Sequence, residues 1–327
     1  MSFTRIKMSD LHLDAIREAY QKIKEFVRKT PLIHSAYLSE LCGNNVYLKL
    51  ENLQLTNAFK IRGALNRMLK LSTEEKTYGI ITASSGNHAQ GIALAAKHLK
   101  IPAKIVIPKN ISEAKLNKIK QYNVEIIQEG DFDEIESKAR ALSTQEGLTY
   151  ISPYNDLNII EGQGTIALEI YEELENVDVI IVPIGGGGLI SGIAFTAKAL
   201  NPDIKIIGVQ TKGASTMYNS WKAGKIIEVE EFNTIAEGLL GGLEAGAITF
   251  EIIQTNVDEI VLIDEESVEK AIRLLWELEG QIVEGAGATV VAFLLENTQE
   301  FKNKNVVAVI SGGNIKESLF KEILAKG

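Results

Sequence analysis

Short apolar runs rich in Val and Ile alternate along the chain with longer stretches whose apolar positions recur every three or four residues. The runs at 46–50, 79–82, 103–107, 124–127, 177–183, 204–209, 259–263 and 305–310 predict strands. The longer pattern predicts helices over 12–26, 57–70, 87–98, 112–121, 132–146, 162–174, 189–200, 265–278 and 286–295. Strand–helix alternation of this kind requires parallel sheets with helices on both faces, so the expected fold class is α/β with two open, mostly parallel, doubly wound domains. Residues 53–150 hold several complete units and are expected to form a small domain. Residues 1–52 and 151–327 are expected to form a large one, with the active site in the cleft between them.

Composition narrows the class. The chain has 327 residues, of which 45% are hydrophobic and 24% charged, as in a soluble globular protein. A formal net charge of −9, with Lys and Arg interleaved among Glu and Asp, excludes a nucleic-acid surface. No apolar stretch is long enough to span a membrane, and charges recur through the first twenty residues, so a cytoplasmic protein without a leader or anchor is expected. The single cysteine, Cys42, rules out an intramolecular disulfide, and the four histidines match no zinc spacing, so no metal is expected.

Four segments carry candidate chemistry. In Val182-Pro183-Ile184-Gly185-Gly186-Gly187-Gly188-Leu189, an apolar strand runs through four glycines into a helix. Without Cβ atoms the backbone N–H groups can converge on an oxyanion, and the helix start adds partial positive charge. Ile193 after Gly192 breaks a Walker A loop, and Ile190 breaks a dinucleotide fingerprint begun at Gly185, which leaves the phosphate of a smaller cofactor or a flexible turn. In Asn57-Ala58-Phe59-Lys60-Ile61-Arg62-Gly63-Ala64, Lys60 lies between apolar neighbours; desolvation there would lower its proton affinity and make it an imine-forming amine. In Thr82-Ala83-Ser84-Ser85-Gly86-Asn87-His88, hydroxyls and an amide at a helix start suit a carboxylate, although Ser84 or Ser85 could simply cap the helix. The pair Val283-Glu284-Gly285-Ala286 and Ile310-Ser311-Gly312-Gly313-Asn314 puts small residues at the ends of apolar runs, and each could be a tight turn.

With these segments in this order, the chain resembles the threonine dehydratase and serine racemase group of fold-type II pyridoxal-phosphate enzymes, from Arg28-Lys29-Thr30-Pro31-Leu32 to Ser311-Gly312-Gly313-Asn314. The resemblance implies a fold like that of the tryptophan synthase β chain, a pyridoxal 5'-phosphate cofactor, and elimination of water from L-threonine or L-serine to give a 2-oxo acid and ammonia. By resemblance, Lys60 beside Phe59 holds the cofactor covalently and Asn87 bonds its phenolic oxygen. Gly185, Gly186, Gly187, Gly188 and Leu189 hold its phosphate. Ser311 and Gly312 face its pyridine nitrogen, and Gly238 and Glu284 lie beside its ring. Ser84, Ser85, Asn87 and His88 surround the substrate carboxylate, and Lys60 and Ser85 are the catalytic candidates. A serine at the pyridine nitrogen gives no reason for that nitrogen to be protonated, so a carbanion is short-lived and loss of a β-hydroxyl drains its charge, with the cofactor phosphate as the nearest acid.

Departures keep alternatives open. Ser152-Pro153-Tyr154-Asn155-Asp156 is closer to the dehydratase pattern than to the racemase one. Ser85 stands where racemases carry a serine acting on the second face of the α-carbon, which keeps serine racemase activity open. Gln210 and Thr216 occupy the positions of the racemases' cation-binding carboxylates. The stretch Leu239-Leu240-Gly241-Gly242-Leu243-Glu244 is unlike the common dehydratases and would suit a pocket for another β-hydroxy amino acid, such as hydroxyaspartate or phenylserine. A non-catalytic amino-acid-binding protein is the remaining alternative, against which Lys60 itself argues. The resemblance further implies a homodimer or homotetramer, and no regulatory domain is expected after Asn314.

Overall fold

The computed structural model describes residues 7–131, 134–297 and 301–326. Ten strands run in chain order as β1 (Leu32–His34), β2 (Asn45–Leu50), β3 (Ile80–Ala83), β4 (Ala103–Ile107), β5 (Glu125–Gln128), β6 (Thr149–Tyr150), β7 (Val179–Pro183), β8 (Lys205–Thr211), β9 (Glu259–Ile263) and β10 (Asn305–Ile310). They form a six-stranded sheet in the order β1-β2-β10-β7-β8-β9 and a four-stranded sheet in the order β5-β4-β3-β6. Every pairing is parallel except β1 with β2.

Period-two alternation explains why the larger sheet is covered on both faces. In β10, Val306, Ala308 and Ile310 join one core, while Val307 and Val309 join the other. In β7, Val179 and Ile181 go with the first set, Ile180 and Val182 with the second. Helices Ala36–Cys42, Glu265–Glu279, Gly285–Glu296 and Glu317–Ala325 cover the first face; helices Leu157–Glu173, Gly188–Leu200 and Ile248–Asn256 cover the second. The smaller sheet divides likewise, with Ile81, Ala83 and Val106 packed on helix Ile135–Glu146 and Ile105 and Ile107 packed on helices Asn87–Leu99 and Glu113–Lys120.

Boundaries differ from the sequence pattern where local chemistry intervenes. The helix expected over 57–70 begins at Lys60, because Asn57 sits in the left-handed region at φ +54° and Ala58 is tied to Gly312 by an antiparallel bridge. The helix expected over 162–174 begins five residues earlier, at Leu157, where the Asp156 carboxylate accepts the N–H groups of Asn158 and Ile159. Phe132, in the helix expected over 132–146, lies outside the described residues. β1 and β6, at three and two residues, are too short to leave a periodic signal.

Candidate active site

The candidate residues stand at the carboxyl ends of parallel strands, where open α/β sheets leave room for ligands. β3 leads into Ser84, β7 into Gly185, and β10 into Ser311. The Lys60 arm is pinned to the last of these. Phe59 donates its N–H to the Ser311 carbonyl at 3.2 Å, and Gly313 donates to the Asn57 carbonyl at 2.8 Å. From the other side helix Asn87–Leu99 presses on the arm through Gly91, where a Cβ would stand 3.1 Å from the Lys60 carbonyl carbon. Two motifs separated in sequence are thus locked together by backbone contact.

The Lys60 ammonium nitrogen donates to the Pro153 carbonyl at 2.9 Å and lies 5.1 Å from the Phe59 ring centroid. Burial lowers its pKa to about 8, a shift the Glu284 charge only partly opposes. Only about one-tenth of this amine is unprotonated at pH 7, still far more than for a solvated lysine, and the direction of the shift is the one its apolar flanks lead one to expect.

Asn87, the first residue of its helix, donates from Nδ2 to Glu284 at 2.7 Å. Its Oδ1 accepts from Asn314 at 2.8 Å, and Asn314 in turn accepts from Lys118 at 2.8 Å and donates its main-chain N–H to Glu284 at 3.2 Å. A Cβ on Gly312 would stand 2.5 Å from Glu284, and one on Gly238 would stand 3.7 Å from it. Burial raises the Glu284 pKa against the pull of its Asn87 hydrogen bond. Neither serine caps the helix: Gly86 is the N-cap residue, and Ser84 Oγ accepts the Gly86 N–H at 3.2 Å. Ser85 is half-buried beside it.

His88 is buried, and burial together with the nearby Lys60 charge lowers its pKa to about 3. The Thr82 hydroxyl donates to the Ile151 carbonyl, so it receives a proton from His88 Nε2 at 3.1 Å. That fixes the neutral tautomer with Nδ1 unprotonated, and Nδ1 has no partner among the described residues.

The glycine run folds as a cradle. Among the described residues, nothing accepts the N–H of Gly185, Gly186 or Gly187, and helix Gly188–Leu200 starts directly behind them. Gly187 has φ +90°, a conformation that favours glycine. The Tyr154 ring lies against the run, 2.5 Å from where a Cβ on Gly186 would stand. Phe59 and Leu189 share one apolar cluster, and a Cβ on Gly185 would stand 3.2 Å from the Gly238 carbonyl oxygen. All of the residues singled out by sequence thus gather in one region.

Several neighbours went unnoticed in the sequence. Arg62, two residues beyond Lys60, binds Glu51 through Nε and Nη2, each at 2.8 Å, and Glu169 through Nη1 at 2.7 Å and Nη2 at 2.8 Å. Lys49 binds Glu169 at 2.7 Å and the Thr30 carbonyl at 2.6 Å. All four charged side chains are buried. Lys49 within the apolar run of β2 was the available signal. Asn314 and Pro153 gave none, since their roles arise from tertiary placement. Gln210 bonds the Ile184 carbonyl and the Tyr218 N–H, and Thr216 donates to Glu231 at 2.7 Å.

A family model described as pyridoxal-phosphate dependent enzyme matches residues 23–312. The chain is similar to an L-threonine ammonia-lyase of Thermotoga maritima, 44% identical over 316 residues, covering 96% of this chain and 78% of that protein. Among solved structures it is similar to maize serine racemase, with TM-score 0.90, 37% identity and 97% of each chain covered. It is also similar to a pyridoxal 5'-phosphate-dependent aspartate racemase, with TM-score 0.88, 29% identity, and 94% of this chain and 97% of that one covered. A buried low-pKa lysine facing a glycine cradle across two parallel sheets, matched over most of its length by that family model, shows that the chain belongs to the pyridoxal-phosphate-dependent enzymes.

Proposed function

We propose that this protein eliminates water from L-threonine at a site built around Lys60, and that the enamine released is hydrolysed by water to 2-oxobutanoate and ammonia. The observation that carries the reading is the Lys60 amine, buried and hydrogen-bonded to a main-chain carbonyl rather than to a carboxylate. The name of the Thermotoga relative supports the substrate.

The residues present fit the family's cofactor. The unclaimed N–H groups of Gly185, Gly186 and Gly187 and the helix start behind them suit a phosphate monoester, and bare backbone is needed at Gly186 because Tyr154 fills the space of any side chain there. Asn87 Nδ2 suits a phenolate oxygen, Ser311 and Gly312 close the end of β10 against the pyridine nitrogen, and Phe59, Leu189, Gly238 and Glu284 form walls. When bound, pyridoxal 5'-phosphate supplies an aldehyde that joins an amine and a conjugated ring that accepts electrons from the α-carbon.

The chain's own residues do the rest. Lys60, whose lowered pKa makes its free amine far more accessible than that of a solvated lysine, takes the α-proton at Nζ. Ser84, Ser85 and the N–H groups opening helix Asn87–Leu99 hold the substrate carboxylate. His88 is neutral with Nε2–H spent on Thr82, so its contribution to a carboxylate is its main-chain N–H. The Glu284–Asn87–Asn314 bonds orient the Asn87 amide, and the apolar walls keep bulk water from the reacting carbon.

A second reading, racemisation of serine, is favoured by Ser85, whose hydroxyl has no hydrogen-bond partner among the described residues. Ser85→Ala is expected to suppress D-serine formation far more than elimination, which loses only one of several carboxylate contacts; D-serine output that falls no more than elimination does removes Ser85 from a base role. We also infer two domains, 1–52 with 151–327 and 53–150, in a cytoplasmic homo-oligomer. The exposed apolar residues Leu53, Leu55, Leu278 and Ile282, joined through the Asn52–Ile282 bond, offer a surface for a second copy.

Purified protein incubated with L-threonine, L-serine and L-threo-3-hydroxyaspartate tests the reading. The expected result is 2-oxo acid release fastest from L-threonine, together with a borohydride-trapped cofactor adduct on the Lys60 peptide. An adduct at another lysine, or no 2-oxobutanoate from L-threonine, overturns it.

A further inference from the structure

Glu244, in the glycine-rich stretch that departs from the common dehydratases, meets the segment 152–155 that borders the site. Its carboxylate accepts from Asn155 Nδ2 at 3.0 Å and Ser152 Oγ at 3.3 Å, and its main-chain N–H donates to the Tyr154 hydroxyl at 2.9 Å. These three residues flank Pro153, whose carbonyl holds the Lys60 amine. Tyr154 lies against Gly186 and Gly188 of the cradle. Burial, with the Glu244 charge next, pushes the Tyr154 hydroxyl well above its ordinary range, so the field of this carboxylate reaches the cradle wall. Gly241 at φ +128° and Gly246 at φ +72° let the stretch fold back to bring Glu244 there.

Glu244 also reaches across to the smaller sheet. Arg140, on helix Ile135–Glu146, lies 2.9 Å from Glu244 and 2.7 Å from Glu136, with its guanidinium 4.2 Å from the Tyr150 ring centroid. Arg140 is thus shared between two carboxylates, and the cluster of three has a net charge of minus one. The similar aspartate racemase handles, by its name, an amino acid with a second carboxylate, so the fold alone does not exclude one. The side chains around the pocket must decide.

We propose that Glu244 is a specificity-determining residue that excludes substrates with an anionic side chain. It does so by neutralising Arg140 and leaving a net negative cluster beside the segment 152–155. An incoming β-carboxylate meets like charge and finds no free guanidinium, whereas the methyl group of threonine is indifferent to both. The proposal rests on the site assigned above and narrows the β-hydroxy amino acids that site accepts. It disfavours hydroxyaspartate.

The test uses the cofactor-loaded enzyme and two amino acids that lack a β-hydroxyl, L-aspartate and L-2-aminobutyrate. Their dissociation constants are read from the change in cofactor absorbance. A parallel measurement compares kcat/KM for L-threo-3-hydroxyaspartate and L-threonine. Glu244→Gln is expected to shift both ratios about tenfold toward the acidic compound, Arg140→Gln to shift them the other way, and Glu244→Asp to leave them near wild type. Ratios unchanged in Glu244→Gln, or shifted equally in Glu244→Asp, overturn the proposal, the second result marking a loss of loop structure rather than of charge. Wild-type enzyme inert toward L-threonine, with the binding ratio still following charge, would refute the threonine reading while leaving Glu244 as the selector.

Discussion

Lys60 and Arg62 are two buried cations two residues apart at the start of one helix, and the fold treats them in opposite ways. Around Arg62 the structure supplies carboxylates at both ends of the guanidinium, Glu51 and Glu169. Burial works against that charge, yet the two carboxylates outweigh it and hold the Arg62 pKa above the ordinary guanidinium range. Glu51 is held below its usual value for the same reason, the Arg62 charge overcoming the effect of burial. Around Lys60 the structure supplies a carbonyl and an aromatic ring, and burial prevails. Burial alone thus does not decide whether a side chain becomes a structural clamp or a reactive amine; the count of compensating charges does.

The comparison breaks most sharply by removing each charge in turn. Lys60→Ala is expected to lower threonine deamination by at least about 10³-fold, since the amine that takes the α-proton is lost, while leaving thermal stability level or slightly raised. Arg62→Met is expected to do the reverse in emphasis. It strands Glu51 without a cation in the interior, leaves Glu169 with Lys49 alone, and should cost about 3–5 kcal/mol of folding stability, read as a reduced midpoint in denaturant melts. A stable Arg62→Met protein, or a Lys60→Ala protein that unfolds early, would show that the two charges had been assigned the wrong roles.

The same contrast explains what could be read from sequence. The flanks of Lys60 announced a desolvated amine because Phe59 and Ile61 are its immediate neighbours. Arg62 has an equally apolar neighbour in Ile61, but its partners Glu51 and Glu169 stand 11 and 107 residues away. Nothing local distinguishes it from a solvated arginine. The strands 103–107, 259–263 and 305–310 were legible to the residue, since fully buried parallel strands are continuous apolar runs. The start of the Lys60 helix was not, because the main chain of Asn57 and Phe59 is bonded to Gly313 and Ser311 at the far end of the chain. The glycine run, Asn87 and Ser311 could be named as motifs; that Asn314 binds Asn87 while receiving Lys118 is a product of the two sheets coming together.

A gentler perturbation, pH, sharpens the comparison without mutating the clamp. In cofactor-free protein burial holds the folded Lys60 pKa at about 8, below the ordinary lysine value of 10.5 that the unfolded chain restores. Between these values the unfolded state binds the extra proton, so folding stability rises with pH across that window. Below about 8 both states are protonated and the fold bears the full burial penalty. The rise should be at most about 3 kcal/mol, and smaller to the extent that water reaches the amine. Arg62 contributes no slope there, because its guanidinium stays charged in both states. Denaturant melts of wild type and Lys60→Ala from pH 7 to 11 isolate the effect, since every other titrating group cancels in the difference. A difference that climbs through this window places the uncompensated amine in the interior. A difference that is flat, or that falls, would mean Lys60 is solvated or paired, and its distinction from Arg62 would disappear.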